Sequence, residues 1–139
     1  MLNGFITTNR FARILNLPIS FAQTDLGAAK SIIIAQIPLA MHQRLELRSL
    51  TISLIAILTP GVIPNYHNTA MGACSVGLYQ STMISSPLAY AAITDNPCTA
   101  NPFSPCIIQC PGTYSVIVSN NSSNLDMAVS ATGVIKIYY

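Results

Sequence analysis

The most constraining feature of this chain is a change of parity within one apolar stretch, residues 43–58. Leu45 and Leu47 alternate with Arg44, Glu46 and Arg48, and then Leu50, Ile52 and Leu54 alternate with Thr51 and Ser53. Side chains on a β-strand point to opposite faces with period two, so one inward face must move from odd to even positions near Arg48 to Leu50. That requires a bulge or a crossing between sheets. A Leu-rich helix is the competing reading. The Thr and Ile content and the stop at Thr59-Pro60-Gly61 favour strand.

The same period runs through the C-terminal part. Tyr114, Val116 and Val118 alternate with Thr113, Ser115 and Ser119, leaving Ile117 as the one apolar residue on the outer face. After Asn120-Asn121-Ser122-Ser123-Asn124, the apolar series resumes at Leu125, Met127, Val129 and Ala131, with Asp126 and Ser130 between. The pattern predicts a hairpin with one face in a core. Beyond Gly133 the inward parity continues at Ile135, Ile137 and Tyr139, with Lys136 outward. It therefore predicts one strand kinked at Gly133, or a three-residue loop.

Ser31 to Gln36 reads as a short Ile-rich strand stopped by Pro38, and Ala73–Gln80 and Pro87–Thr94 as short strands. Residues 60–68 read as turn. Asp95 to Pro111 reads as a loop restrained by Pro97, Pro102, Pro105 and Pro111. No internal repeat is present. Short strands punctuated by Pro, Gly and Asn predict an all-β fold, a single antiparallel β-sandwich or jelly-roll-like domain over residues 31–139.

Residues 1–30 depart from that period and read as an N-terminal arm or irregular edge segment. Asn9 to Leu17 could form a short helix ended by Leu17-Pro18; an ordinary first strand plus loop is the equal alternative. Phe5, Arg10, Phe11, Arg13, Ile14, Leu15 and Phe21 are the candidate contact residues of such an arm. They are too apolar for a solvated tail, and the two arginines suit acidic groups on a partner.

Charge limits what the folded domain can do. The 139 residues include six Lys and Arg and four Asp and Glu, 7% of the chain, against roughly a quarter in ordinary soluble domains. Hydrophobic residues make up 51%, and the mean hydropathy is +0.51. No run of about 18 apolar residues is available for a spanning helix, so membrane insertion is not expected. The N-terminus lacks a clean secretory apolar core, and the retained Met1 argues against processing. A net charge of +2 is far too weak for a nucleic-acid footprint. Ser, Thr and Asn, or another protein, must cover the surface.

The inventory for catalysis is thin. Glu46 lies between Arg44 and Arg48 on what reads as a solvated strand face, and Asp126 reads as a surface group. Asp25 and Asp95 are isolated, and His42 and His67 have no carboxylate at metal spacing. Residues 72–77 (Gly-Ala-Cys-Ser-Val-Gly) lack the G-x-S-x-G spacing of a nucleophile elbow. His42, Asp95 and a later Ser or Cys follow the order of a protease triad, an order that arises by chance in a Ser-rich chain. No enzyme activity, cofactor or metal is expected.

Of the four cysteines, Cys98, Cys106 and Cys110 cluster in the Pro-rich loop. Their C-x7-C and C-x3-C spacings do not suit zinc, so a disulfide from Cys98 to Cys106 or Cys110, with Cys74 buried and unpaired, is the expectation. The overlapping N-x-S matches at Asn120 and Asn121 read as turn.

Low charge, a Ser/Thr/Asn surface and a sandwich without catalytic groups share one explanation: a non-enzymatic subunit buried against neighbouring subunits, of its own kind or of a major capsid protein. A bacteriophage capsid cement or decoration protein, or another virion structural protein, fits best, and its place would be the virion. The alternative is a secreted or cell-surface β module, pilin-, adhesin- or lectin-like, although no Trp is present to stack on sugars.

Overall fold

The fold is seen in a computed structural model that describes residues 12–56, 74–80, 87–93, 106–121 and 126–139. Eight strands account for most of them: β1 (Ile14–Leu26), β2 (Lys30–Leu39), β3 (Arg44–Ala56), β4 (Cys74–Gln80), β5 (Ala89–Ala92), β6 (Cys106–Ile108), β7 (Gly112–Asn120) and β8 (Met127–Tyr138). They form two four-stranded antiparallel sheets, ordered β1-β8-β3-β6 and β2-β7-β4-β5. Within these orders β1 pairs with β8, β2 with β7, β3 with β6 and β4 with β5. The pairs alternate between the two sheets. That is a long antiparallel ribbon rolled up on itself, the jelly roll.

The parity change has the expected cause. The register of β3 against β8 shifts between Leu47 and Ser49, and Leu45, Leu47, Leu50, Ile52 and Leu54 are all buried. One irregular step keeps a thirteen-residue strand facing the same core. β8 supplies Met127, Val129, Ala131, Ile135 and Ile137 to that core, and it is continuous through Gly133. From the opposite sheet come Ile34, Ile37, Val76, Leu78, Tyr114, Val116 and Val118.

Four expectations need correction. First, β7 and β8 are not a hairpin: β7 lies between β2 and β4, and β8 between β1 and β3. Two strands presenting one apolar face to a shared core have the same alternation whether they pair or face each other across it. The connection crosses between sheets and is tied down locally. Asn120 Nδ2 donates to the Leu26 carbonyl (3.1 Å), and the Ala28 amide donates to Asp126 Oδ1 (3.0 Å).

Second, the sandwich starts at Ile14, not at residue 31. Residues 14–26 form an edge strand in register with β8, as in the alternative of an ordinary first strand, and the short helix considered over 9–17 is absent from 14–17. A register shift between Phe21 and Thr24 obscures the period in the sequence. Third, β2 runs past Pro38 to Leu39, which its edge position allows because one side of an edge strand needs no donor. Fourth, Cys106–Ile108 of the Pro-rich loop joins the first sheet as its other edge, against β3.

Candidate assembly surfaces

Glu46 is the largest departure from expectation. Its parity places it on the outer face of the first sheet, yet it is 4% exposed. A buried carboxylate requires partners, and two neighbours supply them. Arg44 Nη2 lies 3.4 Å from Glu46 Oε1, and the Tyr138 hydroxyl donates to Oε2 at 3.1 Å. The Arg44 guanidinium in turn stacks on the Tyr138 ring, 4.4 Å from its centroid. Register explains the meeting: Arg44 is opposite Tyr138, and Glu46 is opposite Lys136 on one side and Ile107 on the other. The cluster neutralises its own charge within the sheet face.

Around it large apolar side chains are exposed on the same face, among polar Asn16, Ser20, Thr132 and Lys136. Ile14 is 54% exposed, Ile107 51% and Val134 37%. Ile14 and Tyr138 are opposite one another, as are Pro18 and Val134. Lys136, partly exposed, stands on this face beside the cluster. Elsewhere Met41, Leu88 and Tyr90 are also exposed.

The sheet edges are poor templates for strand addition. β5 and β6 are four and three residues long, and β1 and β2 carry Pro18 and Pro38. In β1 the proline faces the open side. Arg13 and Tyr139 exchange two backbone hydrogen bonds (2.9 and 3.0 Å). By antiparallel alternation Leu15, Leu17 and Ile19 bond to β8, and Ile14, Asn16, Pro18 and Ser20 turn their backbone groups outward. Pro18 removes a donor from the middle of that outward row.

Between β1 and β2, where the two sheets part, lies a cleft of about 340 Å3. Leu17, Pro18 and Ile19 form one wall, Ile34 and Ile37 the other, and Ile135 the floor.

Of the expected arm residues, Arg13, Ile14 and Leu15 are exposed at the start of β1, and Phe21 is half-buried against the core. Phe5, Arg10 and Phe11 lie outside the described residues. Cys74 is buried and Cys110 exposed, each with a free thiol. Cys98 and the Cys106 side chain lie outside the described residues. Burial pushes the Cys74 thiol up to about 11. Among the described residues no three His, Cys, Asp or Glu side chains gather as a metal site would require. His42 occupies the β2–β3 turn, exposed and at φ 64°, and Asp25 is exposed. Asp95 and His67 lie outside the described residues.

The Glu46 cluster was missed because its partner is 92 residues away. The available signal was the outward parity shared by Glu46 and Tyr138, a phenol being well suited to capping a covered carboxylate.

No protein-family model matches the chain. No curated protein matches it in sequence. Among solved structures it is similar to a chain of infectious bursal disease virus, Gx strain, with a TM-score of 0.52 and 14% identity over 92% of this chain. This chain spans 33% of that protein. The infectious bursal disease virus VP2 subviral particle gives a TM-score of 0.46 at 11% identity, covering 92% of this chain and 33% of the other. A protein of the Bacillus endospore appendages, described as disulfide-linked pili, gives 0.45 at 9%, covering 90% and 87%. At 14% identity the likeness is one of fold: an all-β domain of two antiparallel sheets, as in a viral structural protein.

Proposed function

We propose that this chain is a non-enzymatic structural subunit of a larger protein assembly, and that the assembly is a virus particle, with the chain as a capsid cement, decoration or related virion component. The observation that carries this reading is the outer face of the first sheet. Exposed Ile14, Ile107 and Val134 surround an ion pair already neutralised within the domain. A monomer gains nothing from leaving such groups in water, whereas an interface core is depleted in charge and rich in apolar and aromatic groups. With prolines or short strands at every sheet edge, association by side-chain packing is favoured over strand addition.

The roll also hosts lectins and cupins, so the fold by itself does not choose a function. The fold likeness to a viral chain supports the choice of assembly, as does the scarcity of charge. The test is the mass of the purified full chain by light scattering across a concentration series, together with co-sedimentation with particles from its source. Defined oligomers or saturable co-sedimentation are expected. A chain that stays monomeric and ignores the particles would refute the reading.

A further inference from the structure

The cleft between β1 and β2 has the character of a receptor for an extended apolar segment. Most of its side chains are aliphatic, while Ser20, Gln36 and backbone groups give its surface a polar share able to meet a backbone amide. Among the described residues no titratable side chain lines it, so they offer a charged ligand no counterpart. Its volume, about 340 Å3, is at the small end of ligand pockets, which span about 300–1,000 Å3. That suits one or two large side chains, not a globular partner.

The chain carries a segment of matching chemistry. Residues 1–11 hold Met1, Leu2, Phe5, Ile6 and Phe11, with no acidic residue and a single basic one, Arg10. This segment leaves the roll at the start of β1, where Arg13 is bonded to Tyr139. Its own cleft is badly placed to receive it. With the tightest reversal, a two-residue turn at 10 and 11, residue 9 would stand opposite 12. Phe5 would then be level with Asn16, and only Asn3 and Leu2 would come level with Pro18 and Ile19 in the cleft wall. The aromatic bulk falls short, and the outward position of Pro18 interrupts the ladder such a strand would need. A segment arriving from another copy has no such restriction.

We infer that residues 1–11 of one subunit seat their apolar side chains, Phe5 and Ile6 foremost, in the β1–β2 cleft of a second copy. The inference rests on the assembly reading above and names its contact.

The test uses the full chain with Phe5→benzoylphenylalanine, a photoreactive side chain, in an equal mixture of normal and heavy-isotope-labelled subunits. After irradiation, peptides joined to residue 5 are mapped by mass spectrometry, and assembly of the same sample is followed by light scattering. Crosslinks to residues 17–20 or 34–37 that join light and heavy subunits are expected. Ala35→Trp, which fills the cleft from its wall, is expected to reduce those crosslinks at least tenfold while circular dichroism keeps its β signature. Should that variant misfold, the crosslink map alone decides. Crosslinks confined to like-labelled chains would overturn the inference in favour of the segment folding back. Crosslinks elsewhere, or none, in an assembled sample would overturn it and leave the assembly reading standing. A purified sample that never self-assembles would overturn the inference, and co-sedimentation with the source particles would then decide the assembly reading.

Discussion

Arg44 and Tyr138 are opposite one another in the β3–β8 ladder, the guanidinium on the ring, and between them they hold the buried carboxylate of Glu46. The carboxylate keeps the guanidinium over the ring, and the ring's hydroxyl bonds the carboxylate. Three side chains on an outer sheet face thus act as one polar unit, and removing any member exposes the others to an environment chosen for the set.

Glu46→Ala is therefore expected to destabilise the fold more than a surface ion pair would suggest. Arg44 is 29% exposed, so solvent screens part of the loss; about 1–3 kcal/mol is the expected cost. Tyr138→Phe, which keeps the ring under Arg44 but removes the donor, should cost about 1–2 kcal/mol. In urea unfolding the double variant should lose less than the sum of the single losses. Strict additivity would show that the three groups do not act together.

The Cys74 thiol gives a pH dependence with a definite sign. Its folded value is about 11 and its ordinary value 9.0, because burial disfavours the thiolate. A raised folded value contributes stability that is intact below pH 9 and lost as pH rises towards 11. Burial raises Tyr79 and Tyr114 in the same sense. Thermal melts should hold steady from neutral pH to about 9 and then fall. Cys74→Ala should flatten part of that fall, and an unchanged alkaline slope would show that Cys74 does not contribute.

Alternation disclosed the inward faces of β3, β7 and β8 because each strand contributes one row to one core, and period two survives a single bulge. What alternation cannot disclose is which strands are neighbours. Val116 and Val129 face the same interior from different sheets, and nothing local distinguishes that from a hairpin. The burial of Glu46 was hidden for the same reason: an outer face is covered by whatever the topology brings beside it, here Tyr138. In β1 the register shift near Phe21 hid a regular edge strand, and Pro18 and Pro38 were read as stops because their edge positions follow only from the completed sheets.

The β1–β2 turn contains a correctable strain. Ala29 has φ 58°, where a Cβ crowds the following carbonyl at a cost of roughly 1–2 kcal/mol. Glycine removes that crowding but has a more disordered unfolded state, worth about 0.4–1 kcal/mol in the opposite direction. Ala29→Gly should therefore raise stability by a few tenths to about 1 kcal/mol, read as a higher denaturation midpoint at unchanged slope. A lower midpoint would mean that the Ala29 side chain makes compensating contacts.

Gly77 is required by a different neighbour. On β4 it stands between Ile117 of β7 and Tyr90 of β5, and a Cβ placed there would lie 2.5 Å from the Tyr79 ring. Tyr79, 4% exposed, has folded back over its own strand and uses the glycine as a floor. In Gly77→Ala that buried ring has to move, at an expected cost of about 1–3 kcal/mol. Tyr79→Ala loses a large buried side chain, and about 3–5 kcal/mol is expected by analogy with buried Phe. The decisive measurement is the combination. With the ring gone, alanine at position 77 no longer collides, and a strand interior prefers it to glycine by roughly 0.5–1 kcal/mol. Gly77→Ala should therefore destabilise the parent and stabilise the Tyr79→Ala background. If the substitution carries the same penalty in both, the ring is not what excludes a side chain from that position.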